Sequence, residues 1–210
     1  MHEASKKYAA TVGMINPPYS QGSKGSPHLY EISFIEHLLD SLAEGARCIA
    51  IVPQSTMVGK TNEEKAYKES ILKHHTLEGV VTLSKDTFYR VGTMPCIVVF
   101  TAHQPHPKNH KAKFIDFAND GYYTAPHIGL RDDGSAKDKR EHLLAVWRGK
   151  QKAATSFCVE TTVESDDEWL HSFYYFNDEI PSENDFTKTI GDYLTFEFSM
   201  VIRGREDLFK

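Results

Sequence analysis

Between residues 8 and 101, short apolar runs alternate with stretches whose apolar residues recur every three or four positions, and this alternation restricts the fold more than any other feature. The run "YAATVGMI" (8–15) lacks sharp period-two alternation, as a parallel strand covered on both faces requires. Pro27 opens a helical pattern to Ala43, with Leu29, Ile32, Ile35, Leu38, Leu39 and Leu42 on one face and Gly45 as its stop. "RCIAIVP" (47–53) reads as a second strand. Thr61 and Glu64 have the spacing of a capping box for a helix to about His75, and Lys73, His74 and His75 suit the negative end of its dipole. "EGVVTLS" (78–84), "MPCIVVFT" (94–101) and "KFIDF" (113–117) follow as strands. The order predicts an α/β fold, a mainly parallel sheet flanked by helices. The connection from 84 to 94 is too short for a crossover helix, so a terminal antiparallel hairpin is expected there. Further on, Ser135 and Asp138 are candidate caps for a helix through Trp147. Ser182 and Asp185 are the same for one through Phe186, Ile190, Tyr193, Leu194, Phe198 and Val201 towards Gly204. "TSFCVETTV" and "SFYYF" are candidate strands.

A chain of 210 residues, 40% hydrophobic, has material for one substantial core. No segment approaches the ~20 apolar residues that span a bilayer, and "MHEASKKYAA" lacks the apolar segment of a secretion signal, so the chain reads as soluble and cytoplasmic, without membrane contact. Cys48, Cys96 and Cys158 are odd in number and far apart, which suits buried reduced thiols rather than a disulfide or metal framework. Charge is uneven: residues 160–197 carry eleven acids and one base, a net −10, which leaves +5 on the remainder. A basic front can approach phosphates, though solvated faces explain the same pattern. "VGKT" (58–61) fails as a phosphate-binding loop, because Gln54 stands where the first glycine is needed. His103, His106 and His110 lie in "HQPHPKNHK" and read as a surface loop rather than a metal site, with Lys108, Lys111 and Lys113 as a solvated turn or phosphate contacts. "GSKGS" (22–26) reads as a flexible joiner.

Chemistry concentrates in "NPPY", Asn16 to Tyr19, leaving the end of the first apolar run. The carboxyl ends of strands are where open α/β sheets place their ligands. Pro17 and Pro18 fix the backbone, have no N–H to donate and bias Asn16 away from helical geometry. The Asn16 side-chain carbonyl and a neighbouring backbone carbonyl can therefore accept both hydrogens of one planar –NH₂ group. Tyr19 offers a ring on which a flat base can lie. An ordinary strand-ending turn and an N-P-x-Y sorting motif are the bland alternatives; the latter needs an exposed tail, which a core-like strand does not provide.

Asn16-Pro17-Pro18-Tyr19 resembles the N-P-P-Y signature of amino-group methyltransferases that use S-adenosylmethionine, chiefly those acting on adenine in DNA. "HLYEISFIEHLLDSLAEGARCIAIVP", "LEGVVTLSKDTFYRVGTMPCIVVF", "KFIDFANDGYY" and the closing "IPSENDFTKTIGDYLTF" are similar, in this order, to modification subunits of type I restriction-modification systems. The resemblance implies a partial doubly wound, Rossmann-like methyltransferase sheet, S-adenosylmethionine as cofactor, and DNA, a specificity subunit and a restriction subunit as partners. It implies that Asn16, Pro17, Pro18 and Tyr19 hold the reacting amine, with Phe88 and Tyr89 as a second aromatic wall; Asn16 and Pro17 also touch the cofactor at its edge. The chemistry is physically sensible. The exocyclic nitrogen of adenine is a poor nucleophile because its lone pair is delocalised, and two hydrogen bonds that draw it towards tetrahedral geometry localise that pair. The base must leave the duplex at a cost of a few kcal/mol, which stacking worth ~1–3 kcal/mol offsets.

In that family the tetrapeptide ends the fourth strand, whereas here only fifteen residues precede Asn16. The expectation is a chain resembling the back half of a catalytic domain (1–117) with a C-terminal extension packed on it (118–210). It would bind cofactor poorly and be nearly inactive alone. Strand 8–15 would become an edge, covered by a second copy, by a chain carrying the front half, or by its own N-terminus. Rival expectations are methylation of a protein glutamine or an RNA guanine, and a non-catalytic scaffold for a specificity subunit.

Overall fold

The computed structural model describes residues 9–88, 92–125 and 127–177. Its elements are β1 (Val12–Ile15), α1 (Glu31–Ser41), β2 (Arg47–Pro53), α2 (Gln54–Val58), α3 (Asn62–His74), β3 (Thr76–Leu83), β4 (Pro95–Thr101), β5 (Ala112–Phe117), β6 (Tyr122–Ala125), β7 (Gly129–Asp132), α4 (Ala136–Trp147), β8 (Cys158–Thr161) and α5 (His171–Asn177). Six strands form one sheet in the order β1-β2-β4-β3-β5-β8, and β6 and β7 form a separate hairpin. β1, β2, β3 and β5 run one way, β4 and β8 the other. The expected antiparallel hairpin is β3–β4, but it is not terminal: β4 lies between β2 and β3. Folding back into that gap pairs both edges of β4, whereas a terminal place would leave one row of its amides open.

Side chains of the sheet alternate between two faces. Cys48, Ala50, Val52, Val80, Cys96, Val98, Phe100 and Phe114 pack in one cluster with Ile32, Ile35 and Leu39 of α1, Ile71 of α3 and Trp169. Val81, Ile115 and Cys158 pack in another with Val146, Leu143 and Trp147. Helices thus cover both faces over the middle of the sheet. Among the described residues β1 is an edge, and it carries apolar surface: Val12 is 64% and Met14 68% exposed, with Met14 registered beside half-buried Ile49.

The first helical pattern divides into a 3-10 turn over Pro27–Leu29 and α1, because the Ser33 hydroxyl donates to the His28 and Tyr30 carbonyls at the junction. At the start of α3 the capping box is complete: the Glu64 N–H donates to Thr61 Oγ1 at 3.1 Å and the Thr61 N–H to Glu64 Oε2 at 3.0 Å. Ser135 makes no side-chain cap at α4; Asp132 Oδ1 accepts from the Gly134 and Ala136 N–H groups instead, since the turn before the helix folds around that carboxylate. Lys113 is neither a solvated turn residue nor a phosphate contact. Its ammonium donates to the Val146 and Trp147 carbonyls at 3.1 and 3.0 Å, capping the negative end of α4.

"SFYYF" forms α5 rather than a strand. Tyr174 is buried, its ring is 4.3 Å from that of Phe114 and its hydroxyl donates to Asp167, so tertiary packing overrides the β-propensity of the aromatics. "TSFCVETTV" supplies β8. The helix expected over 182–204 lies outside the described residues. Cys48, Cys96 and Cys158 are free and buried, and burial pushes the thiol of Cys48 up to about 12 and that of Cys158 to about 11. No helix among the described residues is long and apolar enough to cross a membrane.

Candidate functional site

β1 delivers the tetrapeptide to the carboxyl edge of the sheet. Asn16 is exposed, Pro17 buried, Pro18 exposed and Tyr19 half-buried. The bend is held at two further points. The Tyr19 hydroxyl donates to the Ile51 carbonyl of β2 at 3.2 Å, and the Ser20 N–H donates to the Glu31 carboxylate at 2.6 Å. Ser20 sits at φ 59°, a left-handed conformation costly for a serine, and the carboxylate contact holds it there. Glu31, the first residue of α1, is only 7% exposed. Behind the bend Gly22 lies against Tyr30 so closely that an added Cβ would meet the ring at 2.2 Å.

The ring of Phe88 stands 6.3 Å from that of Tyr19 at 60°, an edge-to-face pair. The geometry brings Asn16, Tyr19 and Phe88 into one neighbourhood at the open end of β1, while Tyr89 lies outside the described residues. Burial, with Cys96 and Glu31 adding, raises the Tyr19 phenol above its ordinary value, so it stays a neutral donor. Chemically, an exposed amide carbonyl on a stiff bend, beside an aromatic pair, can hold a flat molecule carrying an amino group.

On the same edge of the sheet a cleft of about 600 Å³ opens where β2, β3 and β5 end and β4 begins. Neither Asn16, Tyr19 nor Phe88 lines it; Gln54, Lys85, Asp86, Met94, Asp116 and Tyr122 do. The cleft and Glu31 escaped sequence reasoning. In the sequence Gln54 stands out only as the residue that spoils a phosphate loop, and the acid at the start of a helix carries no motif.

The histidines lie far from the bend in the chain. His106 and His110 are half-buried with rings 5.2 Å apart, so "HQPHPKNHK" is not simply a surface loop: the His106 N–H donates to Leu72 and its ring accepts from Leu77. Among the described residues no group of three or more His, Cys, Asp or Glu side chains is arranged to hold a metal ion.

Comparison with known proteins gives these observations a family. The model of the N-6 DNA methylase family matches residues 4–197. This chain belongs to the N-6 DNA methylase family. A relative, the type II restriction enzyme and methyltransferase RM.BcgI of Heyndrickxia coagulans, is 53% identical over 198 residues, covering 94% of this methylase-family chain and 31% of the relative. The methyltransferase subunit of a type I restriction-modification system from Streptococcus thermophilus superposes with a TM-score of 0.54 at 17% identity, over 72% of this chain and 34% of that one. A modification subunit of a type I restriction enzyme from Vibrio vulnificus gives 0.55 at 15%, over 80% and 37%. At such identities the solved structures speak for the methyltransferase fold alone. The methylase chain described here spans about a third of the length of each of these relatives.

Proposed function

We propose that this N-6 DNA methylase chain is the base-binding part of an S-adenosylmethionine-dependent adenine-N6 methyltransferase of a restriction-modification system of the type I kind. Asn16 and a backbone carbonyl of the bend accept the two N6 hydrogens of an adenine turned out of its duplex. Tyr19 and Phe88 flank the ring, with Tyr89 beside them. The observation that carries the reading is the exposed Asn16 amide on a double-proline bend, fixed by Tyr19 to β2 and by Ser20 to Glu31.

S-adenosylmethionine supplies the electrophilic methyl group when bound. The described residues fit it only at an edge, through Asn16 and Pro17, since β1 has no neighbour on its outer side among them. The chain's own work is to bind the base, to localise the N6 lone pair and to exclude competing geometries. With S-adenosylmethionine bound, Asn16 and the bend carbonyl would keep the amine's lone pair available to the methyl group the cofactor supplies, and water would take the proton lost from N6. The cofactor-bearing strands pair with the free edge of β1 and cover Val12 and Met14; residues 1–117 belong to that shared catalytic domain and 118–210 to its extension. Alone, the chain binds cofactor weakly and turns over little. DNA, a specificity subunit and a restriction subunit are its partners, in the cytoplasm.

Asn16→Ala in the assembled, active enzyme is expected to lower methyl transfer to adenine at least about 100-fold, as removal of a donor or acceptor aimed at the reacting group does elsewhere, with the melting temperature unchanged. Turnover within a few-fold of the parent would remove the acceptor-pair reading.

A further inference from the structure

α4 and the loop after it hold a basic surface that the reading of Asn16 to Tyr19 does not use. Residues 137–152 contain six lysines and arginines against two acids, in a chain whose net charge is −5. Lys137, Arg140 and Leu144, with Arg148 at the end of the helix, follow one another at steps of three and four, so they share one side, and all four are exposed. Another side, with Leu143, Val146 and Trp147, packs on Val81 and Ile115 of the sheet. Lys150 and Lys152 continue the exposed surface into the loop. Lys139 is drawn inward to Asn119 and Asp133, whereas Arg140, Arg148, Lys150 and Lys152 make no ion pair or side-chain hydrogen bond among the described residues. Helix stability does not explain the pattern: Lys137 and Lys139 stand in the first turn, where the dipole disfavours cations.

The placement suits a duplex. α4 runs antiparallel to β5, since Lys113 in β5 meets the last carbonyls of the helix and Lys139 in its first turn meets Asn119 just beyond the strand. The first turn of α4 therefore lies at the carboxyl edge of the sheet, which also bears Asn16 because β1 and β5 run the same way. Laterally, the strands β3, β5 and β8 beneath α4 are three to five spacings from β1, roughly 14 to 24 Å. That distance excludes a base next to the one at Asn16 and matches backbone about four to seven base pairs away. The helices on the other face differ in sign. α1 carries three acids and no lysine or arginine, and α3 three acids against three lysines, of which Lys68 is buried. A polyanion is repelled there and attracted at α4.

We infer that the exposed side of α4, with Lys150 and Lys152, holds backbone phosphates of the duplex that flanks the target adenine and reads none of its bases. Arg140 and Arg148 each present a guanidinium fork to phosphate oxygens, and the about 16 Å from Lys137 to Arg148 covers the rise of about five base pairs. The inference rests on the proposed DNA substrate, and it adds where the duplex lies on the chain.

The test is fluorescence anisotropy of the full chain with a labelled duplex of about 24 base pairs, over roughly 20 to 150 mM KCl. Arg140→Gln combined with Arg148→Gln is expected to weaken binding at about 50 mM KCl by at least ten-fold and to flatten the log–log salt slope by about two, equally on duplexes of unrelated sequence. Lys150→Gln combined with Lys152→Gln should act in the same direction, and this pair decides the matter if thermal melting shows that the arginine pair fails to fold. Lys65→Gln combined with Lys73→Gln removes the same charge from α3 and should leave the slope within about half a unit of the parent. No duplex binding by the parent, an unchanged slope in the folded α4 variant, an equal loss in the α3 pair, or a loss confined to one sequence overturns the inference. Unchanged duplex affinity with a lowered sedimentation coefficient also overturns it, and gives this surface to an acidic partner such as a second copy. The Asn16 reading is judged apart, by methyl transfer: unchanged slopes leave the loss of turnover in Asn16→Ala standing, and full turnover in Asn16→Ala leaves the slopes standing.

Discussion

Glu31 shows how one buried carboxylate holds the bend that follows Asn16. Its partner is a backbone N–H rather than a cation, and the contact of 2.6 Å is of the charge-assisted kind. Ser20 leaves αL readily once that acceptor is lost, and the change reaches Tyr19 next to it. Glu31→Ala is expected to cost about 1–3 kcal/mol, seen as a lowered urea midpoint, and to release the Ser20 amide to rapid hydrogen exchange. Glu31→Gln keeps an acceptor oxygen and should restore most of the protection. Equal exchange at Ser20 in the parent and Glu31→Ala proteins would show that the carboxylate does not position the bend. The contrast with Asn16 explains what was legible at this scale. Asn16 and Tyr19 belong to a tetrapeptide whose residue types single it out as a candidate site, whereas Glu31 acts through a main-chain contact eleven residues away in sequence, which no local pattern records.

At the scale of elements, legibility followed the range of the forces. α3 was readable because its capping box, first-turn acids and last-turn bases are all local. β2, β3 and β4 were readable as apolar runs, yet the insertion of β4 between its neighbours was not, because strand order depends on edges meeting in space. α2, five residues long, and the β6–β7 hairpin have no amphipathic period to betray them. α5 was misread since Tyr174 takes its conformation from Phe114 and Asp167, not from its own run. β1 carries the prediction proper to this scale. Replacing Met14, 68% exposed, by Lys should leave the chain folded but weaken its association with the cofactor-bearing strands by at least about ten-fold, because a charge then enters an apolar contact. Analytical ultracentrifugation of the assembly measures this, and unchanged association would exclude the β1 face as the joint.

The whole molecule should respond to pH on both sides of neutrality. Burial holds His75 and His106 below the ordinary imidazole value. His75 faces Asp40, whose carboxylate opposes the shift, and His103 and His74, which reinforce it; His106 faces His110, which reinforces, and Glu78, which opposes. The unfolded chain therefore takes up protons near pH 6.5 that the folded chain declines, and stability falls as pH drops below that value, by at most about 1.4 kcal/mol per pH unit per site. Lys68 acts at the alkaline end. Its ammonium is sequestered against Trp169 and donates to the Asp167 and Val58 carbonyls, yet desolvation lowers it to about 8. Between about 8 and 10.5 the unfolded state holds the extra proton at Lys68, so this group's contribution to stability rises with pH across that window, while the buried thiols of Cys48, Cys96 and Cys158, raised above their ordinary value, oppose it from about 9 upward. Urea unfolding at pH 5.5, 7.5 and 9.5, in the parent and in Lys68→Met, should show the acid loss in both proteins and, from 7.5 to 9.5, a steeper alkaline loss in Lys68→Met than in the parent; equal slopes in the two proteins would contradict the assignment of Lys68.

The short first strand has a wider bearing. Among the described residues it joins the sheet through four residue pairs, on one side only, and the tetrapeptide follows directly from its last residue. The strand that leads into the Asn16 bend thus presents an outer side, with Val12 and Met14, that is uncovered among the described residues. Under the proposed reading, cover over that side would stiffen the approach to Asn16, so the readiness of the bend would depend on what lies against β1.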